Sequence, residues 1–262
     1  MWNITIFDEL PSTQTLARER LDMGAAKHGD VIQALHQTAG RGRYTNRSWI
    51  DSPCENLLVS IIFTKLPAWS AGMQFAVGLS IVRMLRTLLG ETSPLIDPRD
   101  VRLKWTNDIL IGKRKIGGIL SEAVWSGNSL RGIIAGIGIN INEESFENLS
   151  AGAELRNPAT SLRIETGFLF SLDEILARLL QEIMKTFAGL HSAHDLMNEV
   201  RSELEWMRSI GSFDAADSTG RSENNLRYET ISDDGSLWAR NENGDVRVFQ
   251  NATIILGANK KE

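Results

Sequence analysis

The hydrophobic and polar positions at the start of the chain predict strands and helices in alternation. Residues 2–10 alternate apolar and polar side chains, which is typical of a strand, and residues 31–37 predict a second one. Between them, Ser12 can cap a helix that runs to Met23. Residues 57–63 are almost continuously apolar, so we expect a strand that is buried on both faces.

A long helix and three closely spaced strands follow. Apolar residues recur at helical spacing from 70 to 89, and we expect Gly90 to end this helix. Residues 101–111, 115–125 and 130–142 each predict a strand. The mixture of strands and helices indicates an α/β (α+β) fold, in which a mixed β-sheet is flanked by helices.

Two further helices are predicted before the pattern changes. Residues 171–174 predict a capping box, in which the Ser171 hydroxyl and the Glu174 carboxylate would satisfy backbone amides reciprocally. Apolar side chains continue from this box at helical spacing as far as Phe187. A second helical stretch covers about residues 195–207.

The composition changes after Met207. Residues 211–225 are rich in Ser, Asp, Gly and Asn, and the remainder shows short strand patterns separated by the hairpin dipeptides Asp234-Gly235 and Asn243-Gly244. We therefore divide the chain into a larger domain at 1–207 and a small all-β domain at 208–262. The small domain can bury little by itself, so we expect it to dock on the larger one.

Composition and charge narrow the class of partner. The net charge of −5 argues against duplex DNA as a main partner, because DNA-binding proteins carry a concentrated basic face. A single cysteine, Cys54, excludes an intramolecular disulfide and fits a reducing compartment; we expect it to be partly buried. The N-terminus lacks the positive region of a signal peptide, and no apolar run approaches the roughly 20 residues that span a bilayer. These features predict a cytoplasmic protein.

The basic residues gather in short loops, which suits a small anionic ligand. Residues 40–47 hold three arginines and two glycines. Glycines let backbone amides approach an anion closely, and arginines add forked donors for carboxylate or phosphate. A solvated surface turn explains the loop alone equally well.

A second stretch of matching chemistry favours a ligand. One face of the predicted strand 101–111 carries Lys104 and Asp108, and Gly112-Lys113 can form a two-residue hairpin turn. This turn would pair Leu110 with Lys115 and place Asp108 diagonally opposite Lys115 on the same face. The alternative is an exposed ion pair worth roughly 0–1 kcal/mol.

Glycines flank this charged pair. Gly136, Gly138 and Asn140 share one face of the strand 130–142, and Gly117-Gly118 repeats the feature beside Lys115. A strand face without side chains suggests the close approach of a ligand or another backbone. The glycines fit neither a dinucleotide fingerprint nor a P-loop, and His191, His194 and Asp195 lie in a polar helix-linking stretch where a structural metal is unexpected.

At these residues the sequence resembles a known family, the biotin protein ligases (biotin–[acetyl-CoA-carboxylase] ligases), in the form without an N-terminal DNA-binding domain. The resemblance rests on four stretches in the family's order and spacing, at residues 37–43, 104–108, 114–120 and 136–142, with further matches at 7–13 and 158–162. It implies a mixed α/β catalytic domain and an SH3-like β-barrel domain. The loop at 44–48 departs from the family pattern: it lacks the usual second glycine and is one residue longer before Trp49.

The resemblance also implies a two-step reaction. Biotin attacks the α-phosphate of MgATP to give biotinyl-5′-AMP and pyrophosphate, and one lysine of a biotin carboxyl carrier domain then takes the biotin and releases AMP. The implied ligands are biotin, ATP and Mg, with no metal site formed by the protein alone. The implied partner is the carrier protein, without nucleic acid or membrane; a homodimer is compatible with the family. Some members carry an N-terminal winged helix, and because the catalytic pattern here begins at residue 1, we expect no DNA binding.

The family's functional residues map onto this chain as follows. The catalytic residues would be Lys115, which bridges the biotin carboxylate and the α-phosphate, Asp108, which orients or deprotonates the incoming amine, and Arg43, which with Arg41 folds the loop over the adenylate. Biotin would contact Ser12, Thr13, Gln14, Gln37, Arg41, Gly42, Arg43, Lys115 and Gly118. The nucleotide would contact Trp49, Arg47, Asn107, Lys115 and Asn140.

Two alternatives stay open. A lipoate or octanoate ligase or transferase of the same architecture would need a long apolar tunnel, whereas Ser12, Thr13 and Gln37 favour the polar ureido ring of biotin. A non-catalytic biotin-binding module would have no need of an amine-activating carboxylate such as Asp108.

Overall fold

The computed structural model of the protein describes residues 1–44, 48–93, 96–147, 158–217 and 221–256. The strands in chain order are β1 (Asn3–Phe7), β2 (Asp30–Ala34), β3 (Gly40–Arg41), β4 (Ser48–Trp49), β5 (Asn56–Phe63), β6 (Val101–Lys104), β7 (Asp108–Ile111), β8 (Arg114–Ser126), β9 (Ser129–Asn140), β10 (Phe213–Ala216), β11 (Ser222–Ile231), β12 (Leu237–Arg240), β13 (Val246–Phe249) and β14 (Thr253–Leu256). The helices are α1 (Thr13–Asp22), α2 (Met73–Thr92), α3 (Leu162–Thr166), α4 (Leu172–Gly189), α5 (Ala193–Leu204) and α6 (Trp206–Ser209), with 3₁₀ turns at Ser70–Gly72 and Pro98–Asp100.

A seven-stranded sheet in the order β1-β2-β5-β9-β8-β7-β6 forms the centre of the molecule. β1 and β2 run parallel, and the other neighbours pair antiparallel. Helices α2 and α4 pack together over one face of the sheet, and α1 covers the other. The predicted mixed sheet with flanking helices is confirmed.

β5 is buried on both faces, as its apolar sequence predicts. All eight of its residues are buried. Leu57, Val59 and Ile61 belong to the core under α2, while Ile62 packs with Ala17 of α1 on the opposite face. The strand therefore joins the two apolar layers of the larger domain.

Helix α2 is apolar enough, by length and composition, to be compared with a membrane span. The segment Ser70–Thr92 is long and apolar enough to cross a membrane, yet 72% of its most apolar 18-residue stretch is buried inside the fold. A core helix passes the same test, and α2 packs as one. It continues through Gly90 to Thr92, so the predicted end at Gly90 is wrong; a single glycine costs a helix only about 1 kcal/mol.

The stretch predicted as one strand at 101–111 is a hairpin. β6 and β7 pair antiparallel, with Lys104 opposite Asp108, and residues 105–107 form the turn. Thr106 and Asn107 are turn-forming residue types, and two short strands show the same alternation as one long strand. The hairpin therefore places Lys104 directly opposite Asp108.

The C-terminal residues form a five-stranded antiparallel sheet in the order β13-β12-β11-β10-β14. β10 lies inside the stretch 211–225 that is rich in Ser, Asp, Gly and Asn. The sheet docks on the larger domain, where the Trp105 indole N–H donates to the Gly235 carbonyl at 2.9 Å. The SH3-like class stays a prediction, as does the boundary at 207/208, which falls within α6.

Two local predictions need correction. Cys54 is exposed, not partly buried, because it lies in the loop before β5 with a positive φ of 65°. Half of the predicted capping box forms: the Ser171 hydroxyl accepts from the Glu174 amide at 3.4 Å, while the Glu174 carboxylate accepts from Arg178.

Candidate functional site

An open cavity lies between the start of α1, the β3–β4 hairpin, strands β8 and β9, and residues 252–254. Together with the part that is open to solvent, it measures about 880 Å³. The nine residues predicted for biotin all line it: Ser12, Thr13, Gln14, Gln37, Arg41, Gly42, Arg43, Lys115 and Gly118. Asp108, Trp49 and Asn107 also line it. The two halves of the predicted site therefore meet in one place.

The arginine-glycine loop is a short hairpin at the edge of this cavity. Gly40 pairs with Trp49, and Arg41 pairs with Ser48. A side chain on Gly40 would run into the Trp49 carbonyl, so glycine is required for this close pairing. Arg47, predicted to contact the nucleotide, lies outside the described residues.

A buried carboxylate closes the base of the hairpin. Asp51 contacts His36 Nδ1 at 2.9 Å and accepts from the Gln37 backbone amide at 3.3 Å. Burial raises the pKa of the Asp51 carboxyl, while these two hydrogen bonds act in the opposite direction. Asp51 thereby holds the segment that follows the hairpin against residues 36–37, which precede it.

Arg43 ties the hairpin to two other parts of the protein. On one side it donates to Asn107 Oδ1 at 2.9 Å and contacts Thr106, both in the β6–β7 turn. On the other side it donates to the Ala252 carbonyl at 2.9 Å and contacts Asn251. The C-terminal sheet thus takes part in closing the cavity.

Polar side chains at the start of α1 form the far wall. Gln37 Oε1 accepts from the Thr13 amide at 2.8 Å, and Thr13 Oγ1 lies 2.9 Å from Ser60 Oγ. Ser12 occupies the N-cap position, but its hydroxyl does not cap the helix. The Ser12 hydroxyl is buried without a hydrogen-bond partner among the described residues, so it is available to a ligand.

The same network continues towards the arginines. Ser60 donates to Gln14 Oε1 at 3.0 Å, and Gln14 donates to Glu122 at 2.9 Å. Glu122 also receives both terminal nitrogens of Arg41, at 2.8 and 3.2 Å. Sequence reasoning missed Ser60 and Glu122: Ser60 is signalled as the polar residue within an apolar strand, whereas nothing local distinguishes Glu122.

Lys115 and Asp108 are in contact, as the hairpin turn predicts. Leu110 pairs with Lys115 in the predicted register, and a bulge beyond Leu110 sets Asp108 opposite Gly118. Lys115 Nζ lies 2.6 Å from Asp108 Oδ1, and Lys104 Nζ lies 3.2 Å from Asp108 Oδ2. Burial acts to raise the pKa of Asp108, but Lys115 and then Lys104 outweigh it and hold the pKa well below its usual range.

The glycine face carries the Trp49 indole. A Cβ on Gly138 would lie 2.7 Å from the Trp49 ring, and one on Gly118 would lie 3.5 Å from it. Lys115 Nζ lies 5.9 Å from the centroid of the same ring. The bare face thus permits a flat group to lie directly on the sheet beside the lysine.

Asn140 is placed differently from the other predicted residues. Its side-chain amide donates to the Thr160 carbonyl at 2.9 Å, and it is absent from the residues that line the cavity. Its predicted contact with the nucleotide stays a prediction. Within the described ranges, no group of three or more His, Cys, Asp or Glu side chains is arranged to hold a metal ion.

Comparison with protein families gives a match over the residues that build this site. The model of the Biotin/lipoate A/B protein ligase family matches residues 6–140, which is more than half of the chain. That range contains α1, the arginine-glycine hairpin and the Lys115–Asp108 pair.

Individual proteins show the same likeness. The chain is 26% identical over 253 residues to the biotin–[acetyl-CoA-carboxylase] ligase of Paracoccus denitrificans, covering 95% of this chain and 99% of that protein. It is 33% identical over 160 residues to the bifunctional ligase/repressor BirA of Bacillus spizizenii, covering 61% of this chain and 46% of that protein. The chain therefore spans about half the length of this ligase/repressor. The fold resembles that of a biotin protein ligase from Aquifex aeolicus, solved in complex with biotin and ATP, with a TM-score of 0.73, 21% identity and coverage of 98% of this chain and 100% of that one.

Proposed function

Because the chain belongs to the biotin/lipoate A/B protein ligase family, we propose that it is a biotin protein ligase. It forms biotinyl-5′-AMP from biotin and ATP and transfers biotin to one lysine of a biotin carboxyl carrier domain. The observation that carries this proposal is the meeting of Arg41, Arg43 and Lys115 with the polar wall of α1 in one cavity. Biotin and ATP are both anionic, so an enzyme that joins them must first offset their repulsion.

The polar wall suits the ureido ring of biotin. A buried ureido group needs hydrogen-bond donors and acceptors on both sides of its ring. The Ser12 hydroxyl has no partner among the described residues, and Thr13 and Gln37 lie beside it. An acyl tail such as that of lipoate would leave the Ser12 hydroxyl unsatisfied, which favours biotin over the family's other substrates.

Lys115 is positioned to act in adenylation. Its side chain is 32% exposed and its ammonium already lies at the cavity wall. Between the biotin carboxylate and the α-phosphate, the ammonium would neutralise charge as the new P–O bond forms and pyrophosphate leaves. Magnesium would arrive on the ATP phosphates and supply positive charge there, since Asp108 is already paired with two lysines and offers the metal little.

Asp108 is positioned to act in transfer. The attacking lysine of the carrier domain must approach the mixed anhydride as an amine, so its ammonium has to lose a proton. A carboxylate next to Lys115 can attract and orient the ammonium, which then loses its proton to solvent. The C–N bond of the amide forms as the C–O bond to AMP breaks. Because its pKa is held low, we assign Asp108 an orienting role more than that of a strong base.

The decisive experiment is ATP–pyrophosphate exchange with biotin, lipoate and octanoate compared in parallel. We expect exchange that requires biotin, followed by a gain of one biotin in the intact mass of a purified carrier domain incubated with MgATP. Exchange driven by lipoate or octanoate would favour the other branch of the family. Tight biotin binding without any exchange would indicate a binding module instead.

The glycine face gives a prediction about ligand binding. Gly138→Ala is expected to weaken ATP binding roughly tenfold. A Cβ there displaces the Trp49 indole, which lies on the sheet and is predicted to contact the nucleotide. The measurement is the KM for ATP in pyrophosphate exchange, with the melting temperature recorded for the same sample. Gly189→Ala is the matched control, since a Cβ at Gly189 meets nothing within 4 Å. An unchanged KM in Gly138→Ala would contradict a role for this face in binding.

A further inference from the structure

A fully buried lysine lies beneath the Lys115–Asp108 pair. The Lys104 side chain is 1% exposed, compared with 16% for Asp108 and 32% for Lys115. Lysine is rarely buried to this extent unless its charge is paired, because removal of an ammonium from water is costly. The position of Lys104 therefore calls for an explanation that is more specific than packing.

The geometry divides the Asp108 carboxylate between the two lysines. Oδ1 faces Lys115 at 2.6 Å on the cavity side, and Oδ2 faces Lys104 at 3.2 Å on the interior side. Lys104 reaches Oδ2 from β6, directly across the hairpin, since the two residues are register partners. Lys104 has no route to the reactants, because it is not among the residues that line the cavity.

The two lysines differ in what they can do during the reaction. Lys115 is partly exposed and has a flexible stem, so it can leave Oδ1 to meet the anionic reactants. Lys104 is enclosed by the core and stays where it is. When Lys115 turns to the reactants, Lys104 is the cation that still faces Asp108. The Arg43 guanidinium is also near, but it donates to the adjacent residue Asn107.

We propose, on the basis of the ligase function above, that Lys104 is the positioning residue for Asp108: it holds the carboxylate charged and aimed while Lys115 is engaged with the adenylate. Oδ1 is thereby free to receive the ammonium of the incoming lysine. Lys115 acts in adenylation and Asp108 in the transfer that follows. The buried Lys104 keeps the Asp108 carboxylate in place for that transfer. Lys104 does not touch substrate and acts through Asp108.

The test separates the two half-reactions. Adenylation is measured by biotin-dependent pyrophosphate exchange, and transfer by single turnover of chemically prepared biotinyl-5′-AMP with the carrier domain. Lys104→Met keeps the length of the side chain and removes its charge. We expect transfer at neutral pH to fall roughly tenfold, as expected for the loss of a charged hydrogen bond, while adenylation falls much less.

The pH profile distinguishes positioning from packing. Without Lys104, the acid limb of the transfer rate should move to higher pH, because Asp108 binds a proton more readily once a neighbouring cation is removed. Lys185→Met, the same change at an exposed residue of α4, should alter neither half-reaction. Equal losses in both half-reactions with an unmoved acid limb would show that Lys104 is only structural, and the proposal would be wrong.

A second measurement does not depend on the ligase activity. The ¹³Cγ resonance of Asp108, assigned with Asp108→Asn, reports ionisation of the carboxyl in the protein without substrates. We expect Asp108 to titrate at higher pH in Lys104→Met than in the unmodified protein, and Lys104→Gln serves if the methionine variant does not fold. An unchanged titration would overturn the proposal, whereas absence of biotin-dependent exchange in the unmodified protein would overturn the ligase function alone.

Discussion

Lys115→Ala is expected to lower the rate of biotinyl-5′-AMP formation by roughly 10²–10³-fold, the usual cost of losing one group that stabilises transition-state charge. The expectation follows from position: Lys115 lines the cavity, and Arg41 and Arg43 line the same cavity. Two anions joined there need a cation between them when the phosphorus becomes pentavalent. The measurement is pyrophosphate exchange at saturating biotin and ATP.

The fold is expected to survive this change. Asp108 loses the partner of Oδ1 but keeps Lys104 at Oδ2, so the carboxylate is not left buried alone. Circular dichroism and the melting temperature check this point. Lys113→Ala is the control, since Lys113 is an exposed residue of the adjacent turn and does not line the cavity. Near-normal exchange by a folded Lys115→Ala protein would remove Lys115 from the mechanism.

The charged pair shows how far local pattern can reach. The two-residue turn after Ile111 fixes which residues pair, so the contact between Lys115 and Asp108 was predictable from the sequence. The bulge beyond Leu110 was not, because the placement of an extra residue depends on the neighbouring strand. Lys104 was assigned to the same face as Asp108 but on one continuous strand, so its direct pairing across a hairpin was missed.

Long-range contacts were the part that sequence reasoning could not supply. Nothing in residues 40–44 indicates that Arg43 reaches Ala252, more than two hundred positions later in the chain. Glu122 is likewise an ordinary strand residue until Arg41 and Gln14 are brought to it. Periodicity determines which face a side chain occupies, but the partner on that face is set by tertiary packing.

The contacts of Arg43 suggest how an intermediate is retained. The hairpin is held by the Trp49 indole, which lies on the glycine face, and by hydrogen bonds made at its ends. Asp51 holds the base of the hairpin through His36. Arg43, within the hairpin, binds the β6–β7 turn through Asn107 and the C-terminal sheet through the Ala252 carbonyl. Loss of the Arg43 contacts should therefore open the cavity without unfolding the sheet.

Arg43→Gly is accordingly expected to release biotinyl-5′-AMP roughly 100-fold faster, which is the effect of losing one or two charged hydrogen bonds. The released mixed anhydride acylates exposed lysines of other proteins, so biotin should appear on serum albumin added as a bystander. Arg43→Ala separates loss of the guanidinium from the backbone freedom of glycine. Asn251→Ala removes one C-terminal partner of Arg43 and leaves the Ala252 carbonyl in place. We expect the release rate to rise least in Asn251→Ala and by similar amounts in the two Arg43 variants. Tighter retention of the adenylate in either Arg43 variant would mean that this arginine does not hold the hairpin over the intermediate.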